Sequence, residues 1–171
     1  VGGACIPVYP HFILHTAEAR KVDCLITRLG RTVNDAMPVY CVEQASKLIG
    51  SIDGAKVAVL GLAFRGGVSD TRLSPTYEVV QELKKRGAKD IRVHDPMVKV
   101  DDKLDKDVKL TDDLKEAVKD TDLVILATDH PEYKNLSNAA VWGVPVYDGR
   151  GILDTTKFPL GAFASIGRAR K

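Results

Sequence analysis

The 171-residue sequence predicts an α/β fold in which a doubly wound, Rossmann-like parallel sheet is preceded by a long, Pro-kinked dimerisation helix. Two patterns lead to this prediction. In the first third of the chain, apolar residues recur at three- and four-residue steps, as they do on one face of a helix. From Ala55 onward, short β-branched runs alternate with helical stretches, which is typical of parallel strands joined by crossover helices.

The first pattern predicts one amphipathic helix over residues 16–50. Pro38 lies inside this range, where its ring removes a backbone donor and clashes with the preceding turn, so we expect a kink or a break near Ala36 or Met37. A single chain has too little surface to cover so long an apolar stripe. We therefore expect the same helix of a second subunit to cover it, giving a homodimer with two-fold symmetry. The stripe consists of Val22, Leu25, Ile26, Leu29, Val33, Met37, Tyr40, Cys41, Ala45, Leu48 and Ile49.

The second pattern predicts the elements of the sheet in order. Strands are expected at residues 56–60, 91–94, 123–127 and 144–147, with helices at 75–86 and near 112–119. Short runs at 108–110 and 163–166 are further candidate strands. Parallel strands all end at the same edge of a sheet, so a ligand cleft is expected at that carboxyl edge.

Composition narrows the functional classes. The 25 basic and 23 acidic residues nearly cancel and are interspersed, so no nucleic-acid partner is expected. The longest apolar stretches are far shorter than the roughly 20 residues that span a bilayer, so no membrane partner is expected either. Three cysteines without a disulfide-framework spacing indicate a reducing, cytoplasmic setting. His11 and His15 lack a third ligand nearby, and we predict no metal site.

The loop after the first predicted strand, residues 61–75, is the first candidate binding element. Its pattern Gly61-x-Ala63-x-x-Gly66 is a degraded dinucleotide fingerprint and a weak match. Asp95, after the second strand, could take the place of the acid that binds ribose, but it comes later than the roughly 20 residues expected.

The end of the same loop favours an anion. Ser74 can cap the following helix and Pro75 suits its first position, so backbone N–H groups would face the loop. Arg65 and Arg72 can each grip phosphate oxygens with two N–H groups. The alternative for both arginines is an ordinary solvated charge in a loop.

At this loop the sequence resembles a known family. The runs at residues 61–65 and 70–75 are similar to the Gly-Leu-Ala-Phe-Lys and Asp-x-Arg-x-Ser-Pro signature of the UDP-glucose/GDP-mannose dehydrogenase family. Four further segments resemble that family in the same order along the chain. They are Gly2-Gly3-Ala4-Cys5-Ile6-Pro7-Val8, Val93-His94-Asp95-Pro96, Thr128-Asp129-His130-Pro131-Glu132-Tyr133 and Tyr147-Asp148-Gly149-Arg150.

The resemblance implies a nucleotide-sugar 6-dehydrogenase, which oxidises the C6 alcohol of a UDP-sugar to a uronic acid with two NAD+. It implies that Cys5 traps the intermediate aldehyde as a thiohemiacetal, which is then oxidised to a thioester. The resemblance also implies that the nucleotide sugar is bound by Phe64, Arg65 and Arg150, and that Arg72 approaches the pyrophosphate of NAD. The alternatives are an inert buried thiol for Cys5 and a turn residue for Arg150.

The opening motif is typical of the branch of the family that acts on UDP-N-acetylhexosamines, especially UDP-N-acetylmannosamine. Two residues depart from the family pattern. Tyr9 stands where the family usually has an aspartate proposed to help acid–base steps, and a phenol with a pKa near 10 is a poor substitute at neutral pH. Ala4 stands where the branch often has histidine.

The resemblance also implies a domain organisation. Residues 1–52 would be the end of the catalytic loop plus the central dimerisation helix, and residues 53–171 the UDP-binding domain. Since the chain opens on Val1-Gly2-Gly3, we expect an NAD-binding domain upstream of it, and we expect the fragment alone to be inactive. His94 and His130 are expected to rim the ligand cleft. Two other hypotheses stay open: a non-catalytic nucleotide-binding or regulatory module, and a dimerisation unit whose cleft is vestigial.

Overall fold

The computed structural model describes residues 1–168. Lys171, the predicted end of the UDP-binding domain, lies outside the described residues. Two short 3₁₀ helices lie at Pro131–Asn135 and Thr155–Lys157. The remaining elements are the helices α1 (Tyr9–Ala19), α2 (Leu25–Ile49), α3 (Thr76–Lys85) and α4 (Leu114–Val118) and the strands β1 (Lys56–Leu60), β2 (Asp90–His94), β3 (Lys109–Thr111), β4 (Leu123–Leu126), β5 (Val146–Asp148) and β6 (Phe163–Ser165).

The six strands form one parallel sheet in the order β3-β2-β1-β4-β5-β6. From β1 the chain moves outward to β2 and β3, and then returns to build the other half of the sheet beside β1. The predicted doubly wound fold is confirmed, and both weaker candidate strands are present as β3 and β6. The strand order reverses between β1 and β4, which is where open α/β sheets bind ligands.

Both faces of the sheet are covered, as a parallel sheet requires. Successive residues of β1 point to opposite faces and all of them after Lys56 are buried. On one face Val57 and Val59 pack with α2 and α3, and on the other Ala58 and Leu60 pack with α4. Burying a side chain the size of Leu60 contributes roughly 1.5–3 kcal/mol to folding, so β1 is a main source of stability beneath the cleft.

The predicted helix over residues 16–50 is wrong in its bounds, because two helices share this part of the chain. Helix α1 ends in a Schellman motif: the Lys21 N–H donates to the Glu18 carbonyl (3.0 Å) and the Val22 N–H to the Ala17 carbonyl (2.9 Å). This motif holds Lys21 in the left-handed region, with φ of 57°. The usual residue at that position is glycine, so the sequence carries no visible stop signal there.

Helix α2 is continuous from Leu25 to Ile49 with Pro38 inside it, so of the kink or break expected near Ala36 or Met37, the break does not occur. The second half of α2 buries Val42 and Ala45 against the sheet. The first half leaves its apolar stripe of Leu25, Ile26, Leu29 and Val33 more than half exposed. Within residues 1–168, no helix is both long enough and apolar enough to cross a membrane.

Candidate functional site

At the reversal of the strand order, the β1 loop (residues 61–75) packs directly on the β4 loop (residues 127–130). A Cβ added to Gly61 would lie 2.2 Å from the Thr128 Cβ, and one added to Gly66 would lie 2.1 Å from the Asp129 carbonyl oxygen. The Thr128 hydroxyl donates to the Ala63 carbonyl at 2.7 Å. The two glycines of the degraded fingerprint therefore serve the contact between the two loops.

A buried carboxylate anchors the β1 loop to the loop after β2. Asp95 is fully buried, and its Oδ2 accepts from the N–H groups of residues 62 and 63 at 2.8 and 2.9 Å. Its Oδ1 accepts from the N–H groups of residues 97 and 98 at 2.9 and 3.0 Å. Burial alone would raise the pKa of Asp95, but these bonds and one from His130 outweigh it and lower the pKa to about 2. Because both oxygens are engaged and buried, Asp95 is not available to a ribose, contrary to the expectation from its position.

The two histidines expected at the rim of the cleft are buried, so that prediction is wrong. His130 is 0% exposed, and its Nδ1 accepts from the Gly67 N–H at 3.3 Å. Its Nε2 must then carry the proton, which it donates to Asp95 at 3.1 Å. His94 lies with its Nδ1 2.7 Å from the Tyr133 hydroxyl, and burial lowers the pKa of its ring. Both rings serve the packing beneath the cleft.

Arg150 lies in the turn after β5, and this turn is built on a second buried carboxylate. Asp148 accepts from the N–H groups of residues 150, 151 and 153 at 2.9, 2.7 and 2.8 Å. The Arg150 Nη2 donates to Asp129 Oδ1 at 3.2 Å, and the same oxygen accepts from the Gly66 N–H at 3.0 Å. The arginine is therefore linked to the β1 loop across the reversal point.

Phe64 and Arg65 lie on the β1 loop beside residues 1–8, which we call the opening segment. The Phe64 ring is half-buried against this segment, since a Cβ added to Gly3 would lie 3.1–3.3 Å from three ring atoms. The Arg65 guanidinium is exposed, with its central carbon 6.0 Å from the centre of the same ring, at the limit of a cation–π contact. The ring thus connects the opening segment with a cation directed at solvent.

Arg72 lies beside the opening segment, close to Cys5. The Gly3 N–H donates to the Arg72 carbonyl at 2.9 Å. The Arg72 guanidinium is fixed by Asp70, with its Nη2 2.6 Å and its Nε 3.0 Å from the same carboxylate oxygen. This ion pair lowers the pKa of Asp70 to about 2 and raises the pKa of Arg72. The nearby Cys5 raises the pKa of Arg72 slightly further.

The Cys5 side chain is exposed, so the alternative of an inert buried thiol does not hold for it. The Tyr9 N–H donates to the Cys5 carbonyl at 2.9 Å, which closes a helical turn and places the two side chains side by side. The contact with Cys5 raises the pKa of the Tyr9 phenol, so Tyr9 stays protonated at neutral pH. By contrast, Cys41 is partly buried in α2, and burial raises the pKa of its thiol.

The five predicted site residues therefore lie on the opening segment, the β1 loop and the turn after β5. The opening segment contacts two of them, because Gly3 lies against the Phe64 ring and its N–H donates to the Arg72 carbonyl. Sequence reasoning assigned no role to Asp129, the residue that joins Arg150 to the β1 loop. The available signals were its place in the loop that follows a buried strand and in the segment 128–133 that resembles the family.

A separate cavity of about 600 Å³ lies along the edge strand β6. Its lining is mainly apolar, with Leu48, Phe158, Leu160 and Phe163 among its residues and Arg168 as its charged member within the described chain. A diphosphate requires several cationic or N–H donors. The cavity is therefore a poorer candidate for a nucleotide than the reversal point.

The fold and this site define a Rossmann-like α/β domain with Arg65 and Arg150 on the loops where its strand order reverses. A family model described as the UDP-binding domain of the UDP-glucose/GDP-mannose dehydrogenase family matches residues 58–155. The match spans more than half of the chain, and the chain belongs to this family. The resemblance noted in the sequence is thereby confirmed.

The relatives agree with this membership. The chain is 33% identical to the UDP-N-acetyl-D-mannosamine dehydrogenase of Pyrococcus horikoshii, over 98% of its own length and 39% of the relative's. It is 37% identical to that of Methanocaldococcus jannaschii, over 79% of its length and 29% of the relative's. Among solved structures, UDP-glucose dehydrogenase from Pyrobaculum islandicum superposes with a TM-score of 0.83 at 32% identity, covering 95% of this chain and 38% of the other. The chain thus spans well under half the length of these relatives.

Proposed function

We propose that this chain is the nucleotide-sugar-binding and cysteine-bearing part of a nucleotide-sugar 6-dehydrogenase, with UDP-N-acetylmannosamine as its substrate. Residues 1–52 would supply the catalytic loop and the subunit contact, and residues 53–171 the UDP-binding domain. The observation that carries the proposal is the link from Arg150 through Asp129 to Gly66, which sets an arginine beside the β1 loop at the reversal point. The activity of the first two relatives supports the choice of sugar.

Arg150 and Arg65 would grip the diphosphate from two sides of the cleft. Planar guanidinium groups suit phosphate because each offers two parallel N–H donors to two oxygens. Asp148 fixes the backbone that carries Arg150, while the Phe64 ring supports Arg65. Phe64 would itself close one wall of the nucleotide-sugar site, next to the opening segment.

Cys5 would perform covalent catalysis on the sugar. Its sulfur adds to C6 of the intermediate aldehyde, so an S–C bond forms while the carbonyl oxygen takes a proton. The thiohemiacetal then loses a hydride from C6 and the proton of its hydroxyl, which leaves a thioester. Water cleaves the thioester, which releases the carboxylate and restores the thiol. NAD+, when bound, accepts the hydride in each of the two oxidations. The exposed sulfur beside Arg72 suits this role, and Tyr9, being protonated, would not act as the base.

Among the described residues, Arg72 is the one we assign to NAD. Its exposed guanidinium is held in place by Asp70 beside the opening segment, which is a suitable arrangement for a pyrophosphate. The remaining NAD contacts are proposed to come from an NAD-binding domain of the longer protein. The exposed stripe on α2 is proposed as the homodimer contact, and the free cysteines favour a cytoplasmic location.

Calorimetric titration of this chain with UDP, UDP-N-acetylmannosamine and NAD+ tests the proposal. UDP and the UDP-sugar should bind, more weakly than they bind a complete enzyme, and NAD+ should not. Binding of NAD+ without UDP would reverse the assignment of the domain. No affinity for any nucleotide would favour a dimerisation unit with a vestigial cleft.

The role of the thiol needs a protein that also carries an NAD-binding domain. There, Cys5→Ala should abolish formation of the uronic acid, whereas the matched control Cys24→Ala should keep it. If Cys5→Ala produces NADH at the parent rate, the covalent role is excluded, and a non-catalytic nucleotide-binding module becomes the better hypothesis.

A further inference from the structure

We propose that Asp129 is a positioning residue for the nucleotide sugar, which acts by holding Arg150 toward the cleft. The inference rests on the proposed function, because it assumes that Arg150 binds the diphosphate. It adds a residue for which the sequence indicated no task. Asp129 would not touch the ligand itself.

The geometry of one oxygen atom supports this role. Asp129 Oδ1 accepts both from the Arg150 Nη2, at 3.2 Å, and from the Gly66 N–H, at 3.0 Å. The two side chains of the ion pair are each a little over one-third exposed, so the pair lies at the surface of the cleft and not beneath it. Arginine has five N–H donors, and this contact uses one of them. The others can face a phosphate.

The backbone that carries Asp129 is itself fixed. Three consecutive residues each make one hydrogen bond to the β1 loop: Thr128 to the Ala63 carbonyl, Asp129 to the Gly66 N–H and His130 to the Gly67 N–H. His130 is in turn held by the buried Asp95. We call residues 128–130 the β4 clamp. The Asp129 carboxylate on this clamp therefore has a defined position relative to Phe64 and Arg65. Its hydrogen bond to Arg150 fixes the Arg150 guanidinium relative to the same two residues.

The benefit to binding is a matter of order. A free arginine side chain loses rotamer entropy when a ligand immobilises it. The contact with Asp129 restricts Arg150 before the ligand binds, so part of this entropy loss has already occurred in the free protein and does not weaken binding. The opposing effect is repulsion between the Asp129 carboxylate and a diphosphate. That repulsion is weakened by solvent and by the charge of Arg150 itself, so we expect the ordering effect to be the larger one.

A double-mutant cycle on the 171-residue chain, with UDP as the calorimetric probe, tests the inference. Asp129→Ala should weaken UDP binding roughly three- to tenfold, and Arg150→Ala should weaken it at least as much. In the Arg150→Ala background, Asp129→Ala should cost less than about twofold, because the remaining contacts of the β4 clamp still hold the β1 loop. Asp129→Asn keeps an acceptor for both donors, so it should restore part of the affinity and also covers the case that the alanine variant folds poorly.

The matched control is Asp90→Ala. Asp90 also pairs with an arginine, Arg92, at 2.7 Å, but it lies at the amino end of β2, away from the cleft. Its replacement should leave UDP affinity unchanged. Two results would overturn the inference alone: an equal loss from Asp129→Ala with and without Arg150, or tighter UDP binding in Asp129→Ala. Unchanged affinity in Arg150→Ala would overturn the assignment of Arg150 itself, and the inference with it.

Discussion

Asp95→Asn is the substitution that should most clearly show what holds the cleft together. The carboxylate accepts from two backbone N–H groups on each oxygen, and Oδ2 accepts from His130 as well. An asparagine of the same shape has one carbonyl oxygen and one NH2 group, which cannot accept. If the NH2 group takes the place of Oδ2, the buried Leu62 and Ala63 N–H groups lose their acceptor. If it takes the place of Oδ1, the part-buried Met97 N–H and the buried Val98 N–H lose theirs.

The expected cost follows from that count. A buried donor left without a partner costs about 1–3 kcal/mol, so two of them cost roughly 2–6 kcal/mol. In a chain of this length each kcal/mol lowers the melting temperature by about 2–4 °C. A loss near the middle of the range would lower it by roughly 8–16 °C, as measured by circular dichroism.

Asp154→Asn is the matched control. Asp154 caps a short helix at the surface, where asparagine is as good a cap, so its replacement should cost less than about 1 kcal/mol. An Asp95→Asn variant that melts within 2 °C of the parent would refute the anchoring role of the carboxylate.

The pH dependence gives an independent check. The pKa of Asp95 is about 2 in the folded chain, below its ordinary value of about 4 in an unfolded chain. A depressed pKa contributes stability above pH 4, and this contribution is lost as the pH falls from about 4 toward 2. Acid unfolding of the parent should therefore include this loss, and that part of the pH dependence should vanish in Asp95→Asn. An unchanged pH profile would contradict the account.

Two further predictions concern packing between loops and between subunits. Gly66→Ala should destabilise the chain by about 1–3 kcal/mol and weaken UDP binding, because the added methyl would lie 2.1 Å from the Asp129 carbonyl oxygen and force the two loops apart. Thermal unfolding and calorimetry of this variant measure the two effects. A melting temperature equal to that of the parent would contradict the close approach of the loops. Leu29→Asp places a charge in the exposed stripe of α2 and should convert a homodimer into a monomer, as measured by light scattering. The affinity for UDP should be retained. A variant that keeps the parent's mass would exclude this stripe as the subunit contact.

The sheet was predictable because its strands are short β-branched runs buried on both faces, such as Val57–Leu60 of β1. The division of the first helix was not predictable. It depends on Lys21 adopting a left-handed conformation, which the sequence would normally signal with glycine. Periodicity alone cannot distinguish one amphipathic helix from two with similar faces.

The positions of the candidate site residues could be predicted from the sequence, but the contacts of the buried histidines beneath them could not. Cys5, Arg65 and Arg72 are exposed on the opening segment and the β1 loop, as expected from their motifs. His94 ends β2 and His130 lies in the loop beyond β4. Both were misplaced at the rim because a histidine in such a position looks the same in sequence whether it faces a ligand or a buried partner. Only the three-dimensional contacts show that His130 is enclosed between Gly67 and Asp95.

The central claim is that a UDP-sugar occupies the reversal point between β1 and β4. Titration of the isotope-labelled chain with UDP, followed through its backbone amide NMR signals, tests it most directly. We predict that the largest shifts fall on Gly66, Gly67 and Arg150. Shifts confined to the apolar cavity around residues 158–168, with these three signals unmoved, would contradict the claim.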